Sequence, residues 1–347
     1  MVNMLKKAQL WAYAHLYTGL LVVVVSFLQR KRMSHNNGTT VTGRLKMVTA
    51  PTFPEHDFLQ PGREFPIRLR HASVSYDDDT IIQVRAASLK LADSRYESPL
   101  DLEMNTGTIS LFWSARNFLE FFSDQAMVDG LAFSRFYDKY PLGLQAGKDG
   151  IRRYPETFAQ MYYHAQTAQL FLGKDGVKRY AKFRLIPGDR GPETGLIPMK
   201  DLVNRWVETP APFETRSQNY LKEEYAARIA RGPVAYHLQI QLHVPSADDS
   251  PEILSCSVAW DEATHPFMDV ATVEVDTLLS LDENNLMRYS VEHCPPSLGM
   301  LPATSIDDYN SINYMRAASA AAKSARLFFY KIFGMPKAVP DDRPKNA

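Results

Sequence analysis

RMSHNNGTTVTG at 32–43, IRLRHASVSYDDDTIIQVRAASLKL at 67–91 and LDLEMNTGTISLFW at 100–113 are the stretches whose reading decides the fold. In the second and third, apolar and polar side chains alternate over 66–76, 80–91 and 100–104, as they do in half-buried antiparallel strands. The same alternation returns at 179–187 and 235–244, and each run is bounded by Pro, Gly or Asp clusters. The first stretch is of another kind. It sets Arg32 three residues before His35 and places Gly38 and Gly43 three and eight residues beyond the histidine. Taken alone, His35 reads as an exposed histidine in a basic turn. Asn105, seventy residues further on, leads an Asn-Thr-Gly turn followed by aromatics.

Working outward, helical spacing is visible at 115–125, 155–168, 203–209 and 217–230, and an Ala-rich stretch predicts a helix from about 308 to 333. No repeat of 20–50 residues interrupts this order. Strands early, interleaved helices later and no regular βαβ alternation predict an α+β fold around an antiparallel sheet or barrel. The organisation expected is a hydrophobic segment over 1–30, one domain over 31–334 and a Pro-rich, charged, disordered tail over 335–347.

The 347 residues carry 39 Lys+Arg against 39 Asp+Glu, so no global field is available to hold nucleic acid. With 45% hydrophobic and 22% charged residues the composition is that of an ordinary globular chain. Cys256 and Cys294 read as buried thiols, although a single disulfide stays open, and a reducing compartment is favoured. These averages conceal the run AQLWAYAHLYTGLLVVVVSFL, Ala8–Leu28, which holds no Asp, Glu, Lys or Arg. As a helix it spans about 31 Å, the thickness of a bilayer core. Lys6 and Lys7 precede it, Arg30, Lys31 and Arg32 follow it, and Trp11, Tyr13 and Tyr17 crowd its first half. A membrane anchor, an uncleaved signal and a helix packed on a barrel compete, with membrane association the leading expectation. The four-valine run also suits a strand.

Together, Arg32, His35, Gly38, Gly43, Arg70 and Asn105 resemble the catalase superfamily, and in particular its small catalase-related heme proteins. The resemblance covers about 30–330 and is specific over 32–124. It implies a catalase-like antiparallel β-barrel with helical insertions and a C-terminal helical region. It also implies heme as cofactor, His35 and Asn105 as the distal catalytic pair, and Arg32 and Arg70 as ligands of the heme carboxylates. On the proximal side the family uses a tyrosinate with an arginine four residues earlier. Position along the chain puts Arg316 at the arginine and Ala320 at the tyrosine, so the metal ligand is lost on that alignment. Arg326-Leu-Phe-Phe-Tyr330 has the same spacing ten residues later, about 15 Å along a helix, and makes Tyr330 the competing ligand.

The chemistry is intelligible from the residues. A peroxide needs a base for its first proton and a polar group for its distal oxygen, roles open to a neutral imidazole and an asparagine amide. Buried carboxylates need cations, and the planar guanidinium fork suits them. The function implied is heme-dependent conversion of hydroperoxides, fatty-acid hydroperoxides before hydrogen peroxide. The alternatives are a catalase-like accessory subunit without heme, and a hydrogen-peroxide catalase. The partners expected are a lipid hydroperoxide, a membrane and other protein subunits. His71 reads as a satisfied histidine near the site. His237 and His243 read as packing residues, and Asp77–Asp79 as a charged turn, because no third metal ligand or spaced calcium pattern accompanies them.

Overall fold

The computed structural model describes residues 2–29, 31–48, 50–125, 132–198, 210 and 212–335. Its strands are β1 Gly38–Met47, β2 Glu64–Ser73, β3 Gln83–Lys90, β4 Asp101–Thr106, β5 Ile151–Arg152, β6 Tyr163–Leu172, β7 Lys178–Pro187, β8 Val234–His243, β9 Met268–Leu278 and β10 Leu298–Met300. Antiparallel pairing runs β6-β4-β3-β2-β1-β9-β8-β7, and β7 pairs back onto β6, which closes an eight-stranded barrel without a free edge. β10 attaches to β6 and the short β5 to β3. The strands expected from alternation lie where the sequence puts them.

Alternation decides what fills the barrel. Phe65, Ile67 and Leu69 of β2, Ala87 and Leu89 of β3 and Leu102 and Met104 of β4 join one buried core. Each of the Phe, Ile, Leu and Met side chains among them contributes about 1.5–3 kcal/mol on burial. The intervening residues, Arg68 and Arg70 on β2 and Glu103 and Asn105 on β4, therefore project from the outer wall. Gly43 is required by the closure. It lies at the register shift between β1 and β9, where an added Cβ would meet the Glu274 carbonyl oxygen at 1.9 Å.

The helices are α1 Val2–Ala12, a π-helical stretch Tyr13–Thr18 that continues into α2 Gly19–Gln29, then α3 Ala115–Gln125, α4 Ala132–Lys139, α5 Pro141–Gly150, α6 Tyr220–Arg231, α7 Leu281–Leu286 and α8 Ser311–Phe333. The four-valine run is helical, not a strand. Leu10, Ala14, Thr18, Val22 and Ser26 are buried in a seam of four-residue steps. The seam packs on α8, with the Thr18 hydroxyl donating to Met315 Sδ at 3.7 Å and Phe27 against Phe329 at 5.3 Å. In a 3.6-residue helix such a row slews around the axis, and the wider π turn counters the drift. Leu10 and Ala14 also enter a second core with Ala115, Ile306, Ile312 and Met315.

The helix expected over 155–168 is corrected. Only Phe158–Gln160 turns, as a 3-10 segment, and Tyr163 starts β6. Tyr163 and Ala165 face the core while His164 faces outward, so the governing period is two; pairing with β4 and β7 on both sides overrides the local helical preference. The helix expected over 203–209 and the tail from 336 lie outside the described residues. Both cysteines are free thiols.

Candidate active site

β1 to β4 place their outward residues in register on one wall. Thr40 pairs with Arg70, Gly38 with Ala72, Ala72 with Ala86, and Ala86 with Asn105. Gly38 must lack a side chain here, because an added Cβ would lie 2.6 Å from Arg70 Nη2 and 2.5 Å from the His71 carbonyl oxygen. The arginine crosses the strand at the glycine, which is the physical content of the His35–Gly38 spacing.

His35 sits just before β1 with φ of 58°, the left-handed region. Its backbone N–H donates to the Val74 carbonyl at 2.8 Å, which fixes the loop to the strand that carries Arg70. Ser34 Oγ lies 2.8 Å from His35 Nδ1, and His35 Nε2 lies 3.4 Å from Asn105 Oδ1. When Nδ1–H donates to Ser34, Nε2 keeps its lone pair, the tautomer a base requires. In that tautomer Nε2 and Asn105 Oδ1 both accept, so their 3.4 Å approach is not a hydrogen bond and leaves the Nε2 lone pair free.

Arg32 and Arg70 converge beside this pair. Arg32 Nη2 donates to the carbonyls of Asn284 and Met287 at 3.0 and 2.8 Å, at the C-terminal end of α7, where the helix dipole favours a cation. Arg70 Nε donates to Asn284 Oδ1 at 2.9 Å, and Thr40 Oγ1 donates to the same atom at 2.9 Å. Arg326 on α8 is 1% exposed and reaches the Met287 carbonyl through Nη2 at 3.1 Å. Its Nε and Nη1 are buried with only the nearby phenol of Tyr330 beside them. Tyr330, one turn later, is buried with its ring centre 5.5 Å from the Arg326 guanidinium carbon. Burial first, then repulsion from Arg70 on Arg32 and from Arg32 on Arg326, pushes these two guanidiniums down to about 9. Arg70 falls to about 10, burial again being the leading cause. Tyr330 is among the groups whose field acts on all three arginines.

Arg316 goes elsewhere: its Nη1 and Nη2 donate to Thr167 Oγ1 and Glu103 Oε2, each at 3.2 Å, on the β6 and β4 wall. Ala320, one turn beyond it, is buried and offers no ligand atom. Beside Tyr330 a cavity of about 360 Å³ opens, lined also by Leu286, Arg288, Leu327 and Lys331. Asn284 and the carbonyls around Met287, which orient two arginines and hold a third, are not marked in the sequence by any motif or periodicity.

The other singled-out residues have structural partners. His71 lies inside the barrel, stacked on Phe158, with Nε2 3.1 Å from Tyr236 Oη; burial pushes its imidazole down to about 3. Asp79 is no surface turn residue, for it is buried and accepts from Ser73 Oγ at 2.7 Å beside Arg85. His243 bonds His265 and Asp249 at 2.9 and 2.8 Å, and His237 reaches the Gly188 carbonyl at 3.1 Å. Among the described residues no group of three His, Cys, Asp or Glu side chains is arranged to hold a metal ion.

No protein-family model matches the chain. Over 292 residues, 83% of its length, it is 38% identical to the allene oxide synthase-lipoxygenase protein of Plexaura homomalla, of which the match spans 27%. It is 28% identical over 297 residues to the linolenate 9R-lipoxygenase of Nostoc sp., of which the match spans 37%. The chain thus spans less than half the length of either relative. Among solved structures a bacterial catalase covers 92% of the chain with a TM-score of 0.66 and 14% identity, over 63% of the catalase. Catalase A from Saccharomyces cerevisiae covers 90% of the chain, again with a TM-score of 0.66 and 14% identity, over 66% of its own length. At that identity the catalases show a shared barrel fold, while the likeness to the Plexaura protein is one of sequence as well; the chain has a catalase-like fold and is similar in sequence to part of the allene oxide synthase-lipoxygenase protein.

Proposed function

We propose that the chain is a heme enzyme that converts hydroperoxides, with fatty-acid hydroperoxides as its substrates. One observation carries this reading. Arg32, Arg70 and Arg326 are gathered in one place with no carboxylate among the oxygens they bond, and Nε and Nη1 of Arg326 are left with only the nearby phenol of Tyr330. Leaving a buried charged donor unmade costs more than an ordinary hydrogen bond returns, so the cluster fits an anion with several acceptor oxygens. The two carboxylates of heme have that chemistry, and the neighbouring phenol of Tyr330 is an iron ligand type. Arg32 and Arg70 would hold its carboxylates, and Tyr330, not the position of Ala320, would ligate it, with Arg326 one turn earlier stabilising the phenolate. The names of the Plexaura and Nostoc relatives, an allene oxide synthase-lipoxygenase protein and a linolenate 9R-lipoxygenase, support a lipid substrate.

Heme, when bound, supplies the iron that activates the peroxide oxygen–oxygen bond. The chain does the rest. His35 Nε2 takes the hydroperoxide proton, with Nδ1–H held by Ser34 so that the acceptor lone pair stays on Nε2. Asn105 offers an uncharged amide to the developing charge on the peroxide oxygen.

The test is spectroscopic first. The purified protein, as isolated or reconstituted with hemin, shows a Soret band whose position changes in Tyr330→Phe. His35→Ala keeps the band and loses fatty-acid hydroperoxide turnover by about 10²–10⁴-fold. A protein that gives no Soret shift with hemin overturns the reading in favour of an accessory subunit without heme. Oxygen release from hydrogen peroxide that outpaces consumption of lipid hydroperoxide overturns the substrate assignment.

A further inference from the structure

The 2–29 and 311–333 segments contain no Asp or Glu, in a chain whose charges otherwise balance at 39 against 39. These are the helices that pack together on one side of the barrel. Their shared seam buries Leu10, Ala14, Thr18, Val22 and Ser26 and leaves most of the large aromatic and aliphatic side chains of these helices exposed. Trp11 is 57% exposed, Leu20 62%, Phe27 51% and Phe328 58%, while Leu16 and Phe333 are exposed beside them. Exposed apolar patches of this continuity are uncommon on soluble monomers and mark a surface with a partner. Lys6, Lys7 and Lys331 stand exposed around this face.

We propose that α1–α2 and the C-terminal half of α8 form a monotopic docking face for an anionic lipid surface, lying in the membrane plane instead of crossing it. Length and hydropathy alone permit crossing, for the most apolar 18-residue window of Met4–Leu28 has a mean hydropathy of 1.7. Tertiary contacts oppose it. Crossing would strip Leu10, Ala14, Thr18, Val22 and Ser26 from α8 and open the core shared with Ala115 and Met315. In the plane those contacts are kept, the outer aromatic and aliphatic side chains enter the headgroup–acyl boundary, and the lysines meet anionic headgroups. Charge selects lipid over a second copy of the chain, because two such faces would set lysines against lysines with no carboxylate from either helix pair. The face also adjoins the cavity at Tyr330, which shares Leu327 and Lys331 with α8.

The full-length protein is sedimented with vesicles of phosphatidylcholine alone or of an equal mixture with phosphatidylserine. Binding to the mixed vesicles, released by high salt plus alkaline carbonate, is the expected result. Leu20→Glu/Phe328→Glu weakens it at least tenfold, and Lys6→Gln/Lys7→Gln lowers the preference for phosphatidylserine by roughly fivefold per lysine. All four positions are exposed, so far-ultraviolet circular dichroism and melting stay as in the parent, which separates lost docking from lost folding. No binding to either vesicle overturns the proposal. So does retention after carbonate, which means a spanning helix, or a dimer that Leu20→Glu/Phe328→Glu dissociates without changing vesicle binding. The hemin spectrum of unbound protein reports the heme reading separately, so either proposal can fail alone.

Discussion

Asn284 offers the sharpest test of the arginine cluster, because one atom, its side-chain oxygen, organises it. Oδ1 accepts from Arg70 Nε and from Thr40 Oγ1, each at 2.9 Å, and Asn284 is 3% exposed. A bond to a charged donor is worth about 1.5–3 kcal/mol and a neutral hydroxyl bond about 0.5–1.5 kcal/mol. Arg70 retains only the Asn36 carbonyl at 3.2 Å as a further acceptor. Asn284→Ala should therefore destabilise the heme-free protein by about 2–4 kcal/mol. Asn284→Asp should do the reverse. A carboxylate at this place relieves the repulsion among Arg32, Arg70 and Arg326 and so raises stability, but it occupies the charge that a bound carboxylate would otherwise neutralise. Hemin affinity should then fall, although the protein is more stable. Urea unfolding of the heme-free forms and Soret titration with hemin measure the two quantities independently. If Asn284→Ala unfolds within about 0.5 kcal/mol of the parent, the hydrogen-bond assignment is refuted. If Asn284→Asp binds hemin as tightly as the parent, the cluster is not an anion site.

Three further outcomes follow from the geometry. Gly38→Ala, with its Cβ 2.6 Å from Arg70 Nη2 and 2.5 Å from the His71 carbonyl oxygen, should cost about 1–3 kcal/mol in thermal or urea unfolding, and Arg70→Ala should not fully rescue it because the carbonyl clash remains. Asp101→Asn removes the carboxylate that accepts from Lys90 Nζ at 2.8 Å, and with both side chains at 0% exposure the uncompensated ammonium should cost about 3–5 kcal/mol by denaturant titration. Glu283, held down to about 2 by the hydrogen bond and charge of Arg95 and by Arg68, stabilises the protein above its ordinary value of 4.5 and loses that contribution as pH falls from 4.5 toward 2. Melting temperature should drop more steeply over that interval in the parent than in Glu283→Gln, and equal slopes would remove the linkage.

The barrel strands were legible because a half-buried strand writes its two faces into the chain directly, as Ile67 and Leu69 against Arg68 and Arg70 do. β6 was misread because Tyr163–Leu172 is rich in Ala and Gln, and only pairing on both sides makes it a strand. Arg32, His35, Arg70 and Asn105 carried a motif, and the structure adds why the glycine beside them is needed. Asn284 and the Met287 carbonyl carried none, since an asparagine in a short helix and a backbone oxygen look alike wherever they occur.

The proximal side shows the division most clearly. By itself the sequence determined that an R-x-x-x-Y pair and an arginine followed by Ala320 both lie on one Ala-rich helix. Ten residues is not a whole number of 3.6-residue turns, so the two pairs face different directions. Tertiary packing decided which faces the arginines: Arg316 turns to Glu103 and Thr167, while Arg326 and Tyr330 turn to the site shared with Arg32. In the same way the sequence determined that Met4–Leu28 is apolar enough to cross a bilayer, and the seam on α8 decided which of its sides is already occupied. Hydropathy is a property of residues one by one, whereas a buried seam exists only when a second surface arrives to meet it.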